Sequence, residues 1–274
     1  MARFSASAFC AAFLGLCLCA ASAPRAEADT QAIRASNNSV WISAGGSLLN
    51  YKEPTTAPNL PDSERGWTSS VAAGASMLGR GDAPGLARNL YLALETEGDF
   101  GDVHYNGAYF NSPTTPLTGT TTESIWTIDG KIGRAFTVDS SLMLTPYLEL
   151  GYRYWDRQLS SIQDEKYQHI DTLGGLMVQL APTRRLVLTG YGSAGTTFSA
   201  KMDTGGNTYN LADSAIYKAG GKIGYDLTPQ TEVFTTLDYT YFRYGQSPVV
   251  AGAYEPNSHT ESTAVRVGIG YHFQ

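Results

Sequence analysis

Thr263-Ala-Val-Arg-Val-Gly-Ile-Gly-Tyr-His-Phe273 is the stretch that decides the fold. Taken alternately, Val265, Val267, Ile269, Tyr271 and Phe273 fall on one face of a strand. Ala264, Arg266, Gly268, Gly270 and His272 fall on the other, because successive side chains of a strand point to opposite sides. Five bulky apolar groups face one way while an arginine faces the other. A sheet with lipid outside and a polar interior asks for that arrangement.

The same alternation recurs upstream. Leu142, Leu144, Leu148, Leu150, Tyr152 and Tyr154 oppose Thr145, Tyr147, Glu149, Gly151, Arg153 and Trp155. Trp126, Ile128 and Ile132 oppose Thr127, Asp129 and Lys131; Tyr217, Ala219, Ile223 and Tyr225 oppose Lys218, Lys222 and Asp226; Val233, Leu237, Tyr239 and Tyr241 oppose Thr236, Asp238 and Thr240. Weaker runs lie at residues 40–51, 67–78, 90–95, 170–180 and 185–199. Together they predict an all-β fold, an antiparallel up-and-down transmembrane β-barrel of ten strands over residues 40–274. Eight strands also fit if the weak second run and one neighbour pair differently. The polar stretches 52–65, 99–121, 157–167, 201–212 and 247–258 read as loops on one rim, and the connections between them are short turns. That asymmetry is the habit of bacterial outer-membrane barrels. Trp67, Trp126, Tyr154, Tyr225, Tyr241 and Tyr271 recur near strand ends, as an aromatic girdle requires. A soluble sandwich or lipocalin-like barrel would turn the apolar face inward. Export, strand length and loop asymmetry favour lipid outside.

Arg3, the apolar run Phe9 to Ala23 and Ala26-Glu27-Ala28 read as a signal peptide over residues 1–28, cleaved after Ala28. All three cysteines, Cys10, Cys17 and Cys19, fall inside it, which leaves the mature chain without thiol chemistry. Residues 29–39 read as a short, polar, disordered periplasmic lead-in. Beyond the signal peptide, 17 basic side chains stand against 24 acidic ones, a balance unsuited to nucleic acid. No continuous apolar run after residue 28 spans a membrane as a helix, so a membrane location demands a closed barrel.

Arg266-Val-Gly-Ile-Gly-Tyr-His-Phe273 resembles the C-terminal insertion signal of bacterial outer-membrane barrels, carried here by Arg266, Gly268, Tyr271 and Phe273; Gln274 after the aromatic is a departure. The resemblance implies a small surface barrel of the Gram-negative outer membrane, general surface-barrel or porin-like in type. It also implies outer-membrane lipid and the barrel assembly machinery as partners.

Under this facing the lumen holds Glu95, Glu97, Asp129, Lys131, Glu149, Arg153, Lys218, Lys222, Asp238 and Arg266. Ten strands enclose a narrow bore, so mixed charges there either pair and plug it or line a path for small polar solutes or ions. In strand number the chain also resembles omptin-type proteases, with Asp99, Asp102 and His104 at the second outer loop. That resemblance implies an Asp pair and a facing Asp-x-His, but Asp203 and Asp213 lack the histidine and His169-Ile-Asp171 has the reverse order. A lipid A deacylase would use His, Ser and Glu; Ser258, His259, Glu261 and Ser262 lack its His-x-Ser order. No metal-ligand spacing and no cofactor motif stand out. The expectation is a non-enzymatic barrel displaying five loops, with Tyr51, Tyr105, Tyr109, Phe110 and Tyr209 available to a surface ligand. A narrow channel is the alternative, and a loop-borne hydrolase the third reading.

Overall fold

Period-two alternation closes on itself in the computed structural model, which describes residues 30–54, 59–109, 112–160 and 163–273. The signal peptide, its cleavage site and Phe110 lie outside these residues, and the Tyr109 side chain is likewise not described. Ten long strands form the wall: β1 (Ser39–Glu53), β2 (Asp62–Leu78), β3 (Leu90–Tyr109), β4 (Ser112–Arg134), β5 (Leu142–Ser160), β6 (Gln163–Leu180), β7 (Leu186–Thr204), β8 (Ala215–Thr228), β9 (Thr231–Tyr244) and β10 (Ser258–His272). Each pairs antiparallel with the next, and β10 returns to β1 from Ser39↔His272 to Lys52↔His259. Ten strands, not eight, therefore close the barrel and leave no edge in the band that meets lipid. Short strands at Phe136–Thr137 and Asn207–Asn210 add to β5 and β7.

The expected facing holds along the wall. Val265, Val267, Ile269 and Tyr271 of β10 are exposed, as are Trp126, Ile128 and Ile132 of β4 and Leu148 and Leu150 of β5. Leu48 pairs with both Trp67 and Thr263, so one girdle stands level with Thr263 and the other at Tyr271. The eight steps from Thr263 to Tyr271 span about 26 Å of strand, or about 20 Å along the normal at a 40° tilt, close to the apolar band of such barrels. Among the described residues no helix is long and apolar enough to cross a membrane.

Two expectations fail outside that band. The stretches read as loops at 52–65, 99–121, 157–167 and 201–212 are largely strand: β4 has 23 residues, where about 10 cross a bilayer. The wall continues well above the outer girdle. There both faces meet polar groups, so the apolar alternation that marks a lipid-facing strand is absent although the ladder persists. The loop reading holds at Pro54 and at residues 59–61, and over 247–257, which carries the isolated bridge Val250↔Ala253 but no strand.

The lead-in is not disordered either. Helix α1 (Thr30–Ser36) occupies the barrel mouth at the rim of short turns, with Ile33 fully buried among Tyr91, Met143, Met177 and Val187. Seven residues cannot hold a helix unaided. Packing of Ile33, on the order of 1.5–3 kcal/mol, and specific bonds hold it instead. Arg34 donates to the Gly79 carbonyl at 3.1 Å and to Asn89 Oδ1 at 2.6 Å, and Asn37 and Gln179 exchange amide hydrogen bonds at 2.7 and 3.1 Å.

Candidate functional site: the lumen

A narrow polar bore must satisfy its charges from its own wall. All ten lumen charges expected from the sequence point inward, and eight of them join two adjoining networks. In the first, Lys218 Nζ lies 2.6 Å from Glu149, 3.0 Å from Asp129 and 3.6 Å from Asp171. Lys131 adds contacts to Glu95 at 3.6 Å and to Glu149 at 3.9 Å. Gly151 makes this approach possible: a Cβ there would stand 2.4 Å from a carboxylate oxygen of both Asp129 and Asp171. In the second, Arg266 bonds Glu97 and Asp238 at 2.9 Å each and Ser70 at 2.8 Å, while Tyr191 donates to Asp238 at 2.6 Å. Lys131 lies 5.4 Å from the centre of the Tyr191 ring and joins the two networks.

The other two residues stand apart. Lys222 pairs with Glu232, nearer the rim of short turns, at 2.6 Å. Arg153 is buried with its guanidinium 5.0 Å from the Phe242 ring, and its Nε and Nη2 make no hydrogen bond. Asp171 and Glu232 are partners that the sequence reading passed over. Alternation could have found both, since Ile170 and Val233 face outward and their neighbours must face in.

Above the outer girdle an aromatic row crosses the bore. Tyr51 of β1 meets Trp155 of β5 at 5.4 Å, Trp155 meets Tyr167 of β6 at 5.3 Å, and Tyr167 stacks on Tyr244 of β9 at 5.3 Å. All four are at most 1% exposed. Acids surround the row. Arg157 bonds Glu64 at 2.9 Å and Glu165 at 2.6 Å; Tyr167 donates to Glu255 at 2.6 Å; Trp155 donates its indole N–H to Glu123. Burial pushes the Glu53 carboxyl up to about 7, against the pull of Arg157. Burial and then the Glu64 charge hold Glu123 well above the carboxylate range, and burial with Glu53 and Glu165 does the same to Glu255. No sequence signal marked Arg157 or these acids; all but Glu123 lie in stretches read as loop.

Three layers thus lie along the lumen: an aromatic and acidic cap, a charge lattice and the α1 helix. Between them, among the described residues, lie cavities of about 130 and 50 Å³, each with room for a few waters.

The barrel wall separates the proposed catalytic sets. Asp99 points inward and is 3% exposed, whereas Asp102 and His104 lie on the outer face. Asp203 bonds Thr208 in its own hairpin, and Asp213 is exposed. His169 is buried beneath the aromatic row, its Nδ1 2.8 Å from the Tyr244 hydroxyl. His259 and Glu261 are on the outer side, Glu261 accepting from Asn50 at 2.9 Å, while Ser258 and Ser262 are buried within. Three of the aromatics expected at the surface are also turned inward: Tyr51, Tyr105 and Tyr209 are 0%, 4% and 6% exposed.

Among solved structures, the outer membrane protease OmpT from Escherichia coli superposes with a TM-score of 0.59 at 10% identity, over 87% of this chain and 98% of that one. The fold is that of an outer-membrane β-barrel. The transport unit of the Escherichia coli autotransporter AIDA-I (TM-score 0.42, 10% identity, 89% and 98% covered) and Neisserial surface protein A (0.32, 14%, 85% and 97%) also align, more loosely. No family model and no curated protein sequence matches the chain. An outer-membrane barrel with this lipid-facing belt belongs in the outer membrane, and the likeness to OmpT extends to the fold alone.

Proposed function

We propose that this outer-membrane barrel is a closed, non-enzymatic surface protein whose work is done by its extracellular extension. The observation that carries the reading is the ion pairing of the lumen charges around Lys218 and Arg266, between a plug below and a cap above. A solute path would need all three layers to move, and neither hydrolase set converges on one side of the wall. The extension then acts as a rigid stalk. It lifts the exposed threonine-rich β4 segment and the loop carrying Val249 and Tyr254, 68% and 48% exposed, away from the lipid surface.

Single-channel recording in a planar bilayer tests this. Folded protein, verified by its heat-shifted gel mobility, should give no steady steps. Steps whose size changes with Lys218→Glu would overturn the closed reading and establish the bore as a path.

A further inference from the structure

At the periplasmic rim, three potential ligands from three consecutive strands converge: Asp226 of β8, Glu232 of β9 and His272 of β10. Asp226 and Glu232 are paired residues of the β8–β9 ladder, and Glu232 faces Gly270 across the β9–β10 ladder. One ligand atom from each lies within 4.8 Å of the others. His272 is 4% exposed, and neither of its ring nitrogens makes a hydrogen bond. Its Nε2 points between Asp226 Oδ1 at 3.8 Å and Glu232 Oε2 at 3.9 Å, beyond hydrogen-bond reach of both. A buried imidazole aimed at two carboxylates without bonding either is a strained way to leave a polar group. Two ligands of a tetrahedral zinc stand about 3.4 Å apart, so a shift of roughly 0.5 Å per ligand would close the set.

The wall is shaped for this carboxylate. A Cβ on Gly224 would fall 1.9 Å from Glu232 Oε1, and one on Gly270 would stand 3.4 Å from Oε2. Glycines on both neighbouring strands thus clear the space in which Glu232 turns toward His272. Lys222 Nζ lies 2.6 Å from the same Oε2. An ammonium and a divalent ion compete for that oxygen. By contrast, the trio Asp129, Glu149 and Asp171 already has the Lys218 ammonium at its centre.

We propose that Asp226, Glu232 and His272 bind a divalent first-row transition metal, zinc by their mixed nitrogen and oxygen donors, with Lys222 as the cation that it displaces. Three protein ligands leave a fourth position for water. The bound ion ties the last three strands of the barrel together beside the seat of α1, where Ser36 reaches Glu232 at 3.4 Å.

Full-length folded protein in detergent, titrated with cobalt(II) and then zinc, provides the test. Visible d–d absorption of four-coordinate intensity that zinc abolishes is the expected result. Asp226→Asn, which lies outside the C-terminal strand and its insertion signal, should weaken binding at least tenfold; His272→Ala should do the same where its heat-shifted band confirms folding. Lys222→Met should tighten binding on the order of tenfold, the scale of groups that touch a ligand without binding the metal. Absence of the absorption, or binding that Asp226→Asn and Lys222→Met leave unchanged, would overturn the site.

Discussion

Below the outer girdle the barrel shows lipid a face of Ile, Val and Leu and keeps charge inside. Above it, water bathes the outer face, and the interior holds tryptophan, tyrosine and acids around Arg157. The ladder is the same in both halves, but the solvent outside differs, and with it the rule for every outward side chain. The lower half needs an apolar exterior to exist at all. In the upper half cohesion comes from the inside.

That contrast can be broken most severely at Arg157. Arg157→Met leaves Glu64 and Glu165 buried without their cation, a loss on the order of 3–5 kcal/mol. The extension should become sensitive to protease while the lower barrel keeps its heat-shifted mobility; equal loss in both halves would make the wall one cooperative unit. Next comes the lipid face. Val267→Lys or Ile269→Lys should cost about 2–4 kcal/mol near mid-bilayer and reduce assembly in lipid vesicles, and normal insertion of both would mean that the faces are reversed.

A smaller effect follows from acidity. Glu53 has its folded pKa raised to about 7 from an ordinary 4.5, so the folded cap binds a proton more tightly than the unfolded chain does. Its contribution to stability is complete below about pH 4.5 and is lost as the pH rises through 7. Glu123 and Glu255, also raised by burial, contribute in the same direction. Amide hydrogen exchange in Leu49–Glu53 should therefore quicken from pH 5 to pH 8, after correction for intrinsic exchange, more than in Val40–Ala44. An equal change in both segments would refute a separate cap. Smallest is Thr120→Lys, on the wetted outer face of β4, which should shift stability by less than about 0.5 kcal/mol. The same lysine that bars assembly at Ile269 should pass unnoticed there, as read by denaturant midpoint.

The same contrast explains what could be read from residues alone. Strand number, facing and all ten lumen charges follow from alternation, because lipid enforces one apolar face. Glu64-Arg65, Glu123-Ser124 and Glu165-Lys166 are polar on both faces, so they resemble loop although each lies on a ladder. Val103 and Ile125, buried in the cap interior, are too widely spaced to restore a period. Residues 30–36 read as linker because the helix draws its stability from Tyr91, Met143 and Val187, partners that lie far along the chain. The charge pairings are equally non-local, Lys218 with Asp129 and Arg266 with Glu97, and no spacing rule reaches across a barrel.

The plug has a consequence for the order of events. Its anchors, Gly79, Asn89 and Gln179, lie 45, 55 and 142 positions from the residues they hold. The helix therefore has no complete seat until the strands and turns that carry those anchors stand around it. Its docking is thus a certificate that distant parts of the wall have met.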